Sequence, residues 1–309
     1  MLAASAASVG QLQTHRQMRH RYTSHPCEVF MRVSSDALAG LLRPPPPKPK
    51  QPTARERAAA NRLRVLQAVA EHGSLRCADL AAACWPGARY GEQMAQRTVR
   101  ALVAAGELMP RRNALGGVSV VLTRPGTAAL EVRGVVAHHG LDLSVSGPAF
   151  RHSALTARWC IHKRSQSFQT FTEYAIAQGR APLSRELLFK RLGRHVDAVL
   201  IKGDKLYAVE TESAPKDTGS LMRIAAMAEL VGRRLHPDLP FTLAGVFVVF
   251  DAEQNHAGRI ARAARERWQR YSAADQTLLA GRVTLARVSL GLSLVWRGCS
   301  EERLTLARV

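Results

Sequence analysis

Three carboxylates interrupt an otherwise apolar stretch of the chain. The segment VDAVLIKGDKLYAVETES, residues 196–213, carries Asp197, Glu210 and Glu212 among residues that are typical of buried strands. A carboxylate is costly to bury unless a cation or hydrogen-bond donors accompany it. The segment therefore predicts a metal ion, a neighbouring cation or a solvent-lined cleft beside these three side chains.

The two apolar runs of this segment are predicted to form a β-hairpin around a tight turn at residues 202–204. Because strand side chains alternate between faces, Glu210 and Glu212 lie on one face and Thr211 lies on the other. Pairing back from the turn brings Asp197 opposite Glu210, so the three carboxylates can surround one point. Such oxygen ligands suit Mg²⁺, which can polarise a phosphodiester. An edge hairpin with three solvated acids is the alternative.

The composition favours a polyanionic partner. The chain has 309 residues, enough for about two domains, and a formal net charge of +20. Only seven of its 44 basic residues are lysines. Arginine suits phosphate oxygens and guanine edges, so nucleic acid is the expected partner. An arginine-rich genome composition is the competing explanation. No run of about 18 apolar residues occurs, so we expect no membrane span.

Several function classes lack their sequence signatures. There is no G-x-S-x-G turn of a serine hydrolase and no G-x-x-x-x-G-K-[ST] loop of an ATPase. The histidine cluster of a rolling-circle nickase is absent too. The cysteines are widely spaced without a C-x-x-C pair, which does not indicate zinc and fits a reducing cytoplasm. They are Cys27, Cys77, Cys84, Cys160 and Cys299.

The chain is predicted to have three parts. Residues 1–52 begin with about 25 residues that lack acids and end in the polyproline run LLRPPPPKPKQP, which predicts a disordered basic tail and an extended linker. A first folded domain spans residues 53–135. A second spans residues 136–309.

The first domain shows the element order of a winged helix-turn-helix. Helices are predicted from Thr53 to a stop at Gly73, from Ser74 to Pro86 and from 91 to 106, then a hairpin turning at 113–117 and a helix with Pro125 in its first turn. In a winged helix the third helix enters the major groove of DNA. A small helical domain with a merely solvated polar face, or one that contacts proteins, is the alternative.

One face of the predicted third helix, without an acid, carries side chains that can read bases or hold phosphates. They follow a spacing of i, i+3, i+4 and i+7 and are Gln93, Gln96, Arg97 and Arg100. Arg111 and Arg112 lie where a wing would touch the DNA backbone. We therefore expect these six residues to contact DNA.

The second domain is predicted to be α/β with a mixed sheet. The pattern indicates helices over 150–179, 219–235 and 257–273, with strands over 196–201, 206–212, 241–250, 282–290 and 292–296. The helix over 257–273 is strongly basic and is either a second DNA contact or a solvated helix. His152 and His162 fall nearly on one face of the first helix, where a structural or phosphate contact is favoured over zinc.

The carboxylate hairpin resembles the PD-(D/E)xK restriction-endonuclease-like superfamily. "VD" stands for its PD, and Glu212 occupies the position where that superfamily usually has lysine. The resemblance implies that Asp197 and Glu210 bind Mg²⁺ or Mn²⁺ and that Glu212 supports water or a second metal. It also implies Glu173 as an extra acid from the preceding helix. The positive charge that this lysine normally supplies would come from another position of the chain, namely Lys216, Lys202 or Arg223.

A longer stretch, from about residue 55 to 250, resembles the replication-relaxation proteins of bacterial plasmids and integrative elements. The matching motifs are LTRPG at 122–126, VDAVLI at 196–201 and ETES at 210–213. The resemblance implies a cytoplasmic role in replication or mobilisation, with double-stranded DNA as partner. Other replication or mobilisation proteins and a second copy of the chain are further candidate partners. It leaves open an active endonuclease, a degenerate accessory factor and a transcriptional regulator.

Overall fold

The computed structural model describes residues 51–143, 146–214, 216–254, 256–291 and 294–306. Residues 1–50 of the predicted tail and linker lie outside these ranges. Within them the chain forms ten helices and two β-sheets, which confirms the expected mixed α/β class. None of the described helices combines the length and the apolar character needed to cross a membrane.

Residues 53–135, here called the N-terminal region, contain four helices and a three-stranded sheet. The sheet is antiparallel in the order β1-β3-β2. The elements are α1 (Ala54–His72), β1 (Ser74–Leu75), α2 (Cys77–Cys84), α3 (Gly91–Ala104), β2 (Leu108–Arg112), β3 (Val118–Leu122) and α4 (Arg124–Glu131).

The ends of α1 follow from local chemistry. The Thr53 side chain accepts a hydrogen bond from the Glu56 backbone, and the Glu56 side chain accepts one from the Thr53 backbone, which is a capping box. Gly73, with a φ of 78°, ends the helix as predicted. Ser74 does not open the next helix. Ser74 instead lies in β1 and pairs with Val121 of β3, and its neighbour Leu75 is buried at the sheet. Helix α2 begins only at Cys77.

The predicted hairpin of the N-terminal region is confirmed, with its turn at 113–117 between β2 and β3. Its register pairs Arg112 with Val118. The Asn113 side-chain oxygen accepts hydrogen bonds from the backbone of Leu115 and Gly117, which fixes the loop from within. The hairpin therefore closes through its own turn residues.

The start of α4 depends on a close approach between two backbones. Thr123 caps this helix, and Gly126 is buried against the carbonyl group of Glu107. A Cβ atom at position 126 would overlap that carbonyl oxygen. We expect Gly126→Ala to lower the free energy of unfolding by about 1–3 kcal/mol, as overpacking usually does. Urea unfolding measures this, and Ala128→Gly, on the exposed side of the same helix, is the comparison; an unchanged midpoint for Gly126→Ala would contradict the close packing.

Residues 136–306, here called the sheet region, are built on a six-stranded mixed sheet. Its order is β4-β5-β6-β7-β8-β9, with β6, β7 and β8 parallel and the other neighbours antiparallel. The strands are β4 (Gln169–Thr172), β5 (Ala198–Lys202), β6 (Lys205–Glu212), β7 (Thr242–Asp251), β8 (Val283–Leu290) and β9 (Trp296–Arg303). The helices are α5 (Gly147–Ser165), α6 (Glu173–Ala177), α7 (Arg185–Leu192), α8 (Thr218–Ala228), α9 (His256–Trp268) and α10 (Ala273–Ala280).

Helices cover both faces of this sheet. On one face α5 packs through the fully buried Trp159 against residues such as Val209. On the other face α8 and α9 pack through residues such as Ile224 and the fully buried Trp268 against Ala208. The alternation of Ala208 and Val209 between two separate hydrophobic clusters is the period of two expected of a strand. The sheet is therefore the middle of three layers.

The predicted helix over 150–179 is broken. It consists of α5, the edge strand β4 and the short α6, because residues 169–172 pair with β5 and complete the sheet edge. The final strand runs over Trp296–Arg303 rather than 292–296. Helices α7 and α10 were not predicted. Helix α5 also contributes Ala157 and Ile161 to the hydrophobic cluster of the N-terminal region.

Candidate acidic site and exposed basic helix

The hairpin of β5 and β6 positions the three predicted carboxylates. Its two-residue turn has Gly203 at a φ of 63°, which suits a turn that begins with glycine. The register pairs Ala198 with Val209, and the Asp197 backbone N–H donates to the Val209 carbonyl at 3.0 Å. Asp197 is therefore opposite Glu210, as the pairing from the turn predicts.

The carboxylates of β6 lie on the face predicted for them. The Thr211 hydroxyl lies within 2.8 Å of the Thr156 hydroxyl on α5. Glu210 and Glu212 project from the opposite face and have no exposed surface. Complete burial excludes the alternative of a solvated edge hairpin and leaves the carboxylates in need of partners.

Asp197 is an ionised carboxylate with two partners. It accepts a hydrogen bond from the Thr211 backbone N–H at 2.7 Å and lies 2.9 Å from the His152 Nε2 atom. Burial raises the pKa of Asp197, and the contacts with His152 and Thr211 lower it. The lowering is the larger effect in total, so the pKa of Asp197 is below its usual value. Burial lowers the pKa of His152, and Asp197 raises it to above its usual value. Each group therefore stabilises the charged form of the other.

Glu210 forms an ion pair with Arg194 but makes no hydrogen bond. Its Oε2 atom lies 2.5 Å from the Arg194 guanidinium, yet the N–H groups are not aligned with either carboxylate oxygen. Burial raises the pKa of Glu210 well above its usual range, and the negative charge of Asp197 adds to this effect. We conclude that Arg194 alone only partly satisfies this carboxyl group.

Glu212 is half satisfied. Its Oε1 atom accepts a hydrogen bond from the Lys216 ammonium at 2.8 Å, and its Oε2 atom has no partner among the described residues. Burial raises the pKa of Glu212, an effect that Lys216 offsets only in part. Together with both oxygens of Glu210, three buried carboxylate oxygens are left without a hydrogen bond.

The other predicted site residues divide into two groups. Lys216 lies at the site and supplies a cation beside Glu212. The Glu173 backbone donates to the Asp197 carbonyl at 2.7 Å, but its half-exposed side chain pairs with Arg185 at 3.1 Å. The two other cations considered for this role are bonded elsewhere: Lys202 lies over the Phe168 ring and Arg223 contacts the Ser220 hydroxyl.

The donor set fits a hard divalent cation in its chemistry. Carboxylate oxygens are the ligands that Mg²⁺ and Mn²⁺ prefer, and such an ion would satisfy buried oxygens that make no hydrogen bond. The side chains do not converge fully, because the three acids do not form a group with oxygens within 4.8 Å of one another in the described chain. Each acid instead faces its own cation, so metal binding would require Arg194 to move aside.

Two residues that contact the acidic hairpin, Arg194 and His152, were not predicted to do so from the sequence. Arg194 was not singled out, although a cation three residues before Asp197 was a visible signal. His152 was considered only as a structural or phosphate contact. Its pairing with Asp197 borders a cavity of about 320 Å³ between α5 and the N-terminal region. The cavity is also lined by Glu173 and Asp79, so solvent-sized molecules can approach Asp197 from that side.

The predicted base-reading face of α3 is exposed to solvent. Ala95, Val99 and Leu102 anchor the opposite side of the helix in the core. The exposed side chains are Gln93, Gln96, Arg97 and Arg100, and Glu92 borders them in the first turn. Arg111 and Arg112 are exposed at the end of β2, next to the hairpin turn. All six predicted contacts are thus accessible to a partner.

The buried carboxyl of Glu210 should couple stability to pH. Its pKa is higher in the folded chain than the value near 4.5 expected after unfolding, so its contribution is complete below pH 4.5 and is lost as pH rises through the folded value. Relative to Glu210→Gln, the wild type should lose free energy of unfolding as pH rises above 4.5. Urea titrations in EDTA at several pH values measure the difference; parallel curves for the two proteins would contradict the raised pKa. The lowered pKa of Asp197 makes the free energy of unfolding fall as pH drops below 3.8. This happens in both proteins, so it cancels in the difference between them.

Comparison of the chain with protein-family models, with curated proteins and with solved structures finds no significant match in any of the three.

Proposed function

We propose that this chain is a DNA-binding protein whose sheet region acts on the phosphodiester backbone with the help of Mg²⁺ or Mn²⁺. The observation that carries the proposal is the complete burial of Glu210 and Glu212 beside an ionised Asp197. Three of their oxygens make no hydrogen bond, and one of these three is held in an ion pair by Arg194. Burying a carboxylate without enough hydrogen-bond donors costs free energy. Groups perturbed in this way are concentrated at functional sites. A divalent cation bound by Glu210 and Asp197 would offset that cost.

In this proposal Asp197 and Glu210 hold the metal, and Glu212 holds a second ligand position or a water molecule. Bound metal would supply the polarisation of the phosphodiester and lower the pKa of water. His152 keeps Asp197 ionised and oriented through the 2.9 Å contact. Lys216 lies 2.8 Å from Glu212 and brings a positive charge to the place where a phosphate would approach.

The exposed face of α3 would hold the DNA. Its amides and guanidiniums can bond to base edges, and Arg111 and Arg112 can contact phosphates beside it. The order of helices and strands in the N-terminal region supports a winged helix-turn-helix. The formal charge of +20 adds a long-range attraction for the DNA polyanion.

A second candidate is an accessory DNA-binding factor, or a transcriptional regulator, that does not cut. The 2.5 Å contact between Arg194 and Glu210 favours it, because that cation occupies the side of the carboxylate that a metal needs. Glutamate at position 212, where lysine is expected from the resemblance, favours it too. In either case the replication or mobilisation of a plasmid or integrative element is the proposed setting, on the strength of the sequence motifs.

Incubation of the purified chain with supercoiled and linear plasmid separates the two candidates. The mixtures contain Mg²⁺, Mn²⁺ or EDTA, and gels report both retarded and nicked DNA. Nicking that requires metal supports the enzyme, whereas retarded but intact DNA in every lane supports the accessory factor. Affinity that does not fall with salt would overturn the shared DNA-binding proposal, since each neutralised phosphate contributes a slope of about −0.9 in log affinity against log salt.

A further inference from the structure

A second group of metal-binding side chains lies away from the acidic hairpin. His162 lies in the last turn of α5, and Cys299 and Glu301 are two residues apart on β9, so both point from one face of that strand. The Cys299 Sγ atom is 3.2 Å from the His162 Nε2 atom. One ligand atom from each of the three residues lies within 4.8 Å of the others.

We propose that His162, Cys299 and Glu301 form a zinc site. Zinc takes sulfur, nitrogen and carboxylate oxygen together, with Zn–S near 2.3 Å and Zn–N near 2.0–2.1 Å. At a tetrahedral angle these lengths place sulfur and nitrogen about 3.6 Å apart, close to the 3.2 Å observed between Cys299 and His162. Three protein ligands leave one position for water, and Glu301 is exposed on that outer side.

The neighbouring side chains orient the ligands. The Lys163 ammonium donates to both oxygens of Glu301, at 2.7 and 2.9 Å, and leaves the remaining lone pairs of that carboxylate for a metal. The Trp296 ring, 5.3 Å from the His162 ring, limits rotation of the imidazole. Burial and the positive charge of Lys163 lower the pKa of His162.

The charges around the group balance one another, and its donor atoms favour zinc. On binding zinc the Cys299 thiol would release its proton, and the resulting thiolate and the Glu301 carboxylate would then carry two negative charges. Lys163 and Arg158 add positive charge nearby, and Arg158 is itself paired with Asp79 at 3.7 Å. The sulfur and nitrogen donors favour zinc over magnesium, whereas the oxygen-only hairpin has the opposite preference. The two sites are therefore chemically distinct.

Cobalt substitution tests the proposal on the full chain after removal of metal with EDTA. One equivalent of Co²⁺ should produce a thiolate-to-cobalt charge-transfer absorption that Zn²⁺ then displaces. Cys299→Ser should abolish this absorption and weaken Zn²⁺ binding more than about tenfold. Cys77→Ser, which removes another partly exposed thiol, and Glu210→Gln should both retain it. No thiolate absorption, or wild-type Zn²⁺ affinity in Cys299→Ser, would overturn the proposal.

A second measurement needs no substitution. Alkylation of the wild-type chain, followed by peptide mass spectrometry, reports the reactivity of each thiol with and without Zn²⁺. Zinc should slow the alkylation of Cys299 more than about tenfold, because a metal-bound thiolate is shielded, and should leave the rate at Cys77 unchanged. Equal rates at Cys299 in both conditions would overturn the proposal even if the variant failed to fold.

Discussion

Glu210→Gln is expected to lower metal-dependent nicking of plasmid DNA by at least about a hundredfold while leaving DNA retardation intact. Single groups that stabilise developing charge contribute on this scale. The substitution keeps the size of the side chain and an oxygen that Arg194 can approach, but removes the negative charge that a divalent cation requires. Nicking rates at saturating Mg²⁺ or Mn²⁺, with retardation gels in EDTA, measure the two effects separately.

The matched control is Glu229→Gln. Glu229 is also a glutamate paired with an arginine in the sheet region, through the 2.8 Å contact with Arg267, but it lies at the end of α8. It should nick at the wild-type rate. Nicking that persists in Glu210→Gln, or that falls equally in both variants, would remove the acidic hairpin from the chemistry. Asp197→Ala is the companion variant, and it should likewise bind DNA without cutting it.

Arg97→Ala is expected to weaken binding to the preferred DNA sequence by about 1–3 kcal/mol and to relax the preference for that sequence. This is the scale of one arginine that contacts a base edge through two hydrogen bonds. Arg97 projects from the exposed face of α3 while Ala95 and Val99 hold the helix in the core, so its removal should not disturb the fold. The preferred sequence is first selected from random DNA duplexes with the wild-type protein. Fluorescence anisotropy with this duplex and with a scrambled duplex then measures both effects.

Two further arginine variants sharpen this prediction. Arg112→Ala, at the end of β2, should weaken binding to both duplexes equally and reduce the salt slope by about one unit, as the loss of a phosphate contact does. Arg191→Ala removes the same charge from the exposed end of α7 and should change little. If all three variants behaved alike, binding would depend on net charge and not on the face of α3.

The accuracy of the sequence interpretation differed between local and long-range features. The ends of α1, the turn at 113–117 and the pairing of Asp197 with Glu210 were all predicted correctly, because caps, turns and strand alternation depend on residues close in sequence. The edge strand β4 was read as helix. Its extended form comes from pairing with β5, and such pairing overrides local propensity.

The same division applies to the candidate sites. The sequence by itself determined which residues bear charge and that Glu210 and Glu212 share one face of a strand. Only the tertiary structure decided that both are fully buried and that Arg194, rather than a donor from the hairpin, faces Glu210. It alone brought His162 to Cys299 across 137 positions of the chain. Packing against α5 and the sheet determines these contacts, and residues so distant in sequence leave no local pattern that predicts them.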